Sequence, residues 1–158
     1  MIKEDKAYIA GFLDGDGSVF ASIESHSELK WHYRVRVVLK FSQHDKGKAI
    51  LKWIRGKLQA GYISSSRHGS ELVIKDQQRL KDLLPMLAPY AKVKKIQIKT
   101  ALELLYLLPV RSKEQLFKVA LLADRIGKYN IASRSRRKRF VQDLQHLNDP
   151  ATTDPALS

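Results

Sequence analysis

The sequence contains no cysteine among its 158 residues. This absence excludes disulfide bonds and any zinc site built on thiolates, although it does not identify a cellular compartment. The five histidines, at positions 26, 32, 44, 68 and 146, lack the spacing of metal ligands. No stretch is both long and apolar enough to cross a membrane, and the first five residues do not resemble a signal peptide. We therefore expect a soluble protein with no membrane partner.

Acidic residues are also scarce, because 16 Asp and Glu stand against 29 Lys and Arg and leave a net charge of +13. A surplus this large on a globular domain favours a polyanionic partner, and nucleic acid is the leading candidate. Six tyrosines and two tryptophans are too few to argue for a base-stacking surface on their own. A membrane surface is a weaker candidate, since no single amphipathic helix concentrates lysines opposite an aromatic face.

One stretch near the amino terminus combines an apolar helical pattern with two acidic residues between glycines. Ala7, Gly11 and Gly15 recur every four residues, so they form a stripe without large side chains on one face of a helix. Such a stripe lets two helix backbones approach closely. Asp14 and Asp16 follow where the pattern ends, and crowded oxygen ligands suit a hard cation such as Mg²⁺. By spacing alone, an ordinary helix end followed by an Asp-Gly turn is the simpler interpretation.

The remaining periodicities predict the order α-β-β-α-β-β-α-α-α. Alternating patterns predict four strands, over 19–24, 31–42, 62–66 and 70–75. We also expect certain residues to begin or end helices: Asp5, Asp45, Asp76 and Ser112 as amino-terminal caps, Gly61 as the end of the second helix, and Pro85 as a kink or interruption. The prediction is one α+β domain over residues 1–147, followed by a disordered tail over 148–158.

The segment Tyr8–Ser18 reads Tyr-Ile-Ala-Gly-Phe-Leu-Asp-Gly-Asp-Gly-Ser and resembles the LAGLIDADG motif of homing endonucleases. The element order over residues 5–145 is also similar to the domain of that family. The resemblance implies an αββαββα core, whose saddle-shaped antiparallel sheet lies over the DNA major groove, followed by carboxy-terminal helices. The motif occurs once, and single-motif members work as homodimers. The motif helices would then meet through Ala7, Gly11, Phe12 and Gly15.

The same resemblance implies the active-site residues. Asp16 would be catalytic and would bind the metal together with the Gly15 carbonyl, whereas Asp14 is expected to have a structural role at the helix end. Gln43 would orient a water molecule, and Lys94 would stabilise charge on the scissile phosphate. A further basic residue is common in the family just past the glutamine. Lys46, Gly47 and Lys48 straddle that position, so its identity stays open.

The implied cofactor is Mg²⁺, with Mn²⁺ substituting and Ca²⁺ binding without supporting cleavage. No small-molecule cofactor is expected. The function implied by the resemblance is a homodimeric, site-specific homing endonuclease that breaks both strands of a long, nearly palindromic DNA site. A non-enzymatic, RNA-binding intron maturase is the main alternative, and a DNA-binding regulator is another. Genes of this family commonly lie in introns, so the protein could belong to an organelle such as a chloroplast or mitochondrion.

The strand alternation predicts a DNA-facing side of the sheet, because a two-stranded ribbon fits the major groove. The predicted DNA-binding residues on the two hairpins are Ser22, Glu24, His26, Arg34, Arg36, Lys40, Ser64, Ser66, Arg67, His68 and Glu71, and Phe20 and Val73 share their outward side. An ordinary solvated sheet face is the alternative, and a one-residue register slip would bury this set. A basic run is expected to bind phosphates or to act as a nuclear-localisation signal or a soluble loop; it comprises Arg134, Arg136, Arg137, Lys138 and Arg139.

Overall fold

A computed structural model describes residues 1–130 and 139–144 of the chain. The predicted tail and four of the five basic residues of the predicted phosphate-binding run, Arg134, Arg136, Arg137 and Lys138, lie outside the described residues. Among the helices described, none has the length and apolar composition needed to cross a membrane.

The elements follow the predicted order, with one short helix added at the end of the described chain. The bounds of the helices and strands are α1 Lys3–Asp16, β1 Gly17–Ser25, β2 Tyr33–Gln43, α2 Lys48–Leu58, β3 Tyr62–Ser66, β4 Gly69–Ile74, α3 Gln77–Leu87, α4 Lys95–Tyr106, α5 Lys113–Tyr129 and α6 Phe140–Leu144. The strands form one antiparallel sheet in the order β1-β2-β4-β3. The α+β class is confirmed.

Alternation along the strands divides the sheet into two faces. The inner face carries the apolar residues that pack against the helices, among them Val19, Val37, Leu39 and Phe41, and each of these is fully buried. The outer face carries the polar and charged residues, and β1 pairs with β2 so that Ser22 lies opposite Arg36. Burial of the inner row fixes the register, because a slip of one residue would expose every one of its side chains.

Two of the predicted caps are present. The Asp76 carboxylate accepts a hydrogen bond from the backbone N–H of Arg79 at 3.0 Å, and the Ser112 hydroxyl accepts one from Gln115 at 3.0 Å. Each side chain satisfies a backbone donor that has no partner within its own helix. The sequence therefore located the starts of α3 and α5 correctly.

Three boundary predictions are wrong, and Pro85 does not interrupt α3. Helix α1 begins at Lys3, so Asp5 lies within its first turn, where it pairs with Lys57 at 2.8 Å. Asp45 begins a short 3₁₀ turn without capping α2, which ends at Leu58 before the left-handed residue Gln59 rather than at Gly61. Helix α3 continues through Pro85 to Leu87. Pro85 is on the exposed side of the helix while Leu84 and Leu87 are buried, so packing outweighs the lost backbone bond.

Candidate active site and DNA-facing surface

Asp14 connects the end of α1 to the segment that precedes α4. Its carboxylate accepts backbone hydrogen bonds from Lys92 at 2.6 Å, Val93 at 3.1 Å and Lys94 at 3.0 Å. Partial burial by itself raises the pKa of this carboxyl group, but the three backbone donors and the Lys94 charge outweigh burial and lower the pKa below its ordinary value. Asp14 therefore has the structural position predicted for it.

Lys94 is held at the same helix end by its side chain. Its ammonium group donates a hydrogen bond to the main-chain carbonyl of Asp14 at 2.9 Å. Eighty positions separate these residues in the sequence, and only the packing of α1 beside the start of α4 brings them together. The charge of Lys94 thus lies at the carboxy-terminal end of α1, where the helix dipole favours a cation.

Asp16 is the last residue of α1, and it differs from Asp14 in being exposed. Within residues 1–130 and 139–144, its carboxylate has no hydrogen-bond or ion-pair partner, and Gly15 beside it is also exposed. An exposed carboxylate next to an accessible main-chain carbonyl fits a hard divalent cation. The described part of one chain contains no cluster of three His, Asp or Glu side chains able to hold a metal.

Gln43 is the last residue of β2, and with Asp16 it lines an open pocket of about 240 Å³. Its side-chain carbonyl accepts a hydrogen bond from the backbone N–H of His44 at 2.9 Å. Two glycines make room for this residue. A Cβ on Gly47 would lie 2.3 Å from Gln43 Cγ, and one on Gly69, whose φ is +127°, would lie 2.6 Å from the Gln43 carbonyl oxygen. Sequence reasoning missed this positioning role, because neither contact leaves a pattern in the sequence.

The two candidate basic residues differ in their surroundings. Lys48 donates to the Ser65 hydroxyl at 2.7 Å, and that hydroxyl lies 2.9 Å from the hydroxyl of Ser70. Ser70 is buried and donates to Asp45 at 3.1 Å. Lys46, by contrast, is exposed. A chain of hydrogen bonds therefore fixes Lys48 against the sheet on the side where Gln43 lies. Asp45 is the last acceptor of this chain, so its carboxylate has a partner although it does not cap a helix.

The register places the eight strand residues of the predicted DNA-binding set on the outer face, which is the predicted side. Four of the five charged members form ion pairs across strands. Arg36 donates to Glu24 at 2.9 Å, and Lys40 donates to Glu71 at 2.9 Å. The hydrogen bond from Arg36 lowers the pKa of the Glu24 carboxyl group. These pairs orient the long side chains toward solvent at defined positions, which is a requirement for reading base edges.

The other predicted DNA-binding residues lie at the ends of the strands. Arg34 contacts the ring of half-buried His26 at 2.5 Å, beside the first hairpin connection. Arg67 and His68 form the exposed turn between β3 and β4, where the Arg67 guanidinium donates to the His68 ring at 2.9 Å. Of the basic run, Arg139 lies within the described residues and is exposed.

Helix α1 presents the predicted glycine stripe to solvent. Ala7, Gly11 and Gly15 are exposed, and a Cβ built on either glycine meets no atom within 4 Å. Phe12 differs from the stripe, because its ring packs partly into the core, 6.3 Å from the ring of Phe41. About one turn of helix separates each stripe residue from the next, so all three lie on one side of α1. Phe12 follows Gly11 and is rotated from it by about 100° around the helix axis, so it points to a different side.

Comparison with known proteins gives consistent results. A model of the LAGLIDADG endonuclease family matches residues 9–104. DNA endonuclease I-CvuI of Chlorella vulgaris is 34% identical over 123 residues, which cover 77% of this chain and 76% of that protein. DNA endonuclease I-CreI of Chlamydomonas reinhardtii is 26% identical over 130 residues, covering 81% and 80%.

The fold agrees with these sequence matches. A crystal structure of I-CvuI in complex with its target, in the presence of 2 mM Ca, superimposes with a TM-score of 0.83 and 30% identity, and the match covers 90% of this chain and 93% of that one. The family match and the identity to I-CvuI both extend far beyond the motif, so the relationship to this family does not depend on the motif alone. The chain belongs to the LAGLIDADG endonuclease family.

Proposed function

We propose that this protein is a homodimeric, site-specific homing endonuclease that makes a metal-dependent double-strand break in a long, nearly palindromic DNA site. The observation that carries the proposal is the end of α1, where Asp16 is exposed and has no partner among the described residues, while the carbonyl of Asp14 anchors the Lys94 ammonium group. A pure binding protein has no need for an acidic residue facing a phosphate. The relatives I-CvuI and I-CreI are named DNA endonucleases, which supports the same activity here.

The residues at this helix end have distinct roles in phosphodiester hydrolysis. Asp16 and the Gly15 carbonyl would hold Mg²⁺, which when bound supplies charge stabilisation at the scissile phosphate. Gln43 orients the attacking water through its side-chain amide, and Lys94 stabilises negative charge as the water oxygen bonds to phosphorus. The bond to the 3′ oxygen breaks, so the products carry 5′-phosphate and 3′-hydroxyl ends. Mn²⁺ is proposed to replace Mg²⁺, and Ca²⁺ to permit binding without cleavage.

A second copy of the chain completes the site. One described chain offers a single exposed carboxylate at the helix end, and the open stripe beside it allows two α1 helices to pack closely. Two-fold symmetry would bring two Asp16 side chains to the same place, one for each DNA strand. A symmetric dimer that reads each half-site with the same sheet face binds a nearly palindromic target.

The proposed DNA contacts are of two kinds, those to base edges and those to backbone phosphates. Residues on the outer sheet face, including Arg36 and Lys40, are proposed to read base edges in the major groove. The exposed turn at Arg67 and the run that ends at Arg139 are proposed to bind backbone phosphates at the flanks. Acidic partners such as Glu24 oppose non-specific attraction to DNA, so their presence on this face favours sequence-specific binding.

The test is cleavage of a randomised duplex DNA library in Mg²⁺ by the wild-type protein and by Asp16→Asn, with sequencing of the cut ends. Asp82→Asn is the matched control, because Asp82 is an exposed carboxylate on α3 away from the active-site pocket. We expect cuts in both strands at one nearly palindromic site, lost in Asp16→Asn and kept in Asp82→Asn. Binding to the same site in Ca²⁺ should persist in Asp16→Asn.

Two results would overturn the proposal. If the folded wild-type dimer cuts no sequence in the library but binds intron RNA, the chain is a maturase on the same scaffold. If Asp16→Asn cleaves as fast as the wild-type protein, then the proposed metal carboxylate is wrong even though the activity is present.

A further inference from the structure

The outer sheet face contains an apolar strip in the middle of the charged residues. Phe20 on β1 lies directly opposite Val38 on β2, and Val73 on β4 lies between Lys40 and Tyr62 of the flanking strands. A solvated antiparallel face normally carries polar side chains at such positions, so apolar residues there need a separate explanation. The four residues Phe20, Val38, Val73 and Tyr62 are distinct from the charged residues that are proposed to read base edges.

The strip contains two covered residues and two that are exposed or partly exposed. The side chains of Val38 and Val73 are only 2% and 4% exposed although they lie on the outer face, so neighbouring side chains cover them. Tyr62 is 50% exposed, and Phe20 is partly exposed. The two valines are therefore covered, and Phe20 and Tyr62 are the residues of the strip that a ligand can reach.

Lys40 fixes the position of the Phe20 ring. Its ammonium group lies 5.7 Å from the centre of that ring and donates to Glu71 at 2.9 Å. The opposing Val38 supports the same ring from the neighbouring strand. Phe20 is thus held between a cation and a valine, and a rigid apolar side chain loses little conformational freedom when a ligand covers it.

The major groove offers one apolar group, which is the 5-methyl group of thymine. We propose that Phe20 is a specificity-determining residue that selects thymine at one base pair of each half-site by packing its ring on this methyl group. The inference rests on the proposed DNA-cleaving function and adds to it a base preference that the charged readers do not provide. A protein partner for the strip is less favoured, because cations such as Arg36 and Lys40 surround it.

Deoxyuridine provides the test, because it pairs like thymine and lacks only the methyl group. Each thymine of the site selected from the randomised library is replaced in turn by deoxyuridine, symmetrically in both half-sites, and the dissociation constant is measured in Ca²⁺. We expect one position at which binding weakens about fourfold for each half-site, the loss that removing one buried methyl group produces. In Phe20→Ala the deoxyuridine and thymine sites should bind equally well at that position.

Two further variants make the result specific. Phe20→Leu keeps an apolar side chain, so it should retain a dependence on the methyl group. Leu121→Ala removes an exposed apolar side chain on α5, outside the sheet, and should show the full wild-type loss with deoxyuridine. Thermal melting of each variant verifies that it is folded.

The inference is overturned if the wild-type protein tolerates deoxyuridine at every thymine, if the selected site has no thymine, or if Phe20→Ala keeps the loss. These outcomes leave the proposed nuclease intact, since the protein would still bind and cut its site. If no DNA of the library is bound or cut, the proposed function itself fails, so the two failures are distinguishable.

Discussion

The ammonium group of Lys94 donates a hydrogen bond to the main-chain carbonyl of Asp14 at 2.9 Å, while the Asp14 carboxylate accepts the backbone N–H of Lys94 at 3.0 Å. This reciprocal pair joins the end of α1 to the start of α4. The two acidic residues at this helix end differ, because Asp14 is bonded to the segment before α4 whereas Asp16 has no hydrogen-bond or ion-pair partner in the described part of the chain. Four predictions follow from this arrangement and from the glycines around it.

Asp14→Asn should lower the free energy of unfolding by about 2 kcal/mol at pH 7, because an amide cannot replace a charged acceptor for three backbone donors. The lowered pKa of Asp14 means that its charged form stabilises the folded state above the unfolded pKa of about 3.9. This contribution is lost as the pH falls through the folded pKa. Urea unfolding at pH 7 and pH 3 should therefore show a smaller difference between the two proteins at pH 3.

The control for this experiment is Asp82→Asn, an exposed carboxylate on another helix. It should change the free energy of unfolding by less than about 0.5 kcal/mol at either pH. An Asp14→Asn effect of the same size at both pH values would show that the charge on Asp14 contributes nothing.

Lys94→Met should reduce the cleavage rate about 100-fold in Mg²⁺, because it removes the positive charge beside the reacting phosphate. Binding in Ca²⁺ should change by only a fewfold, since a single phosphate contact carries little of the total affinity. Lys95→Met, an exposed neighbour on α4, is the matched control. Single-turnover cleavage of the selected site gives the rates. Equal losses for the two variants would mean that Lys94 acts only through the general charge of this segment.

Gly47→Ala should impair cleavage at least tenfold while the protein stays folded. The added Cβ would lie 2.3 Å from Gln43 Cγ, and a flexible glutamine side chain can move away more easily than the backbone can. Gln43 would then leave the position from which it orients water. Gly56→Ala on α2 meets no atom within 4 Å and should stabilise the helix by about 1 kcal/mol without slowing cleavage. Normal activity in Gly47→Ala would argue against a role for the Gln43 amide.

Gly11→Leu should convert the proposed dimer to a monomer. In a single chain the new side chain meets open space, so the folded monomer should gain about 1 kcal/mol from better helix propensity. Two α1 helices packed through the stripe would have no room for it. Sedimentation equilibrium measures the association, and cleavage should disappear with the dimer. Gly56→Leu, also in open space on a helix, should leave the association unchanged.

Local patterns were enough for much of the fold. Alternation identified all four strands within two residues, and the Asp76 and Ser112 caps marked the starts of two helices. Local patterns gave wrong predictions where tertiary packing competed with a local rule. Pro85 was expected to kink or interrupt α3, but no interruption occurs, because buried leucines on both sides of Pro85 keep the last turn helical. Asp45 has the side chain of a cap, yet the buried hydroxyl of Ser70 is its partner.

The sequence by itself determined the family, the element order and the identity of the residues at the helix end, because these depend on motif, period and spacing along the chain. Only the tertiary structure decided that Asp14 is the carboxylate bonded to the segment before α4, since its donors lie about 80 positions away. The contact between Gly47 and Gln43 and the burial of Val38 and Val73 on the outer face likewise could not be predicted from the sequence. Such contacts join distant segments, and a local pattern holds no information about which distant atoms will meet.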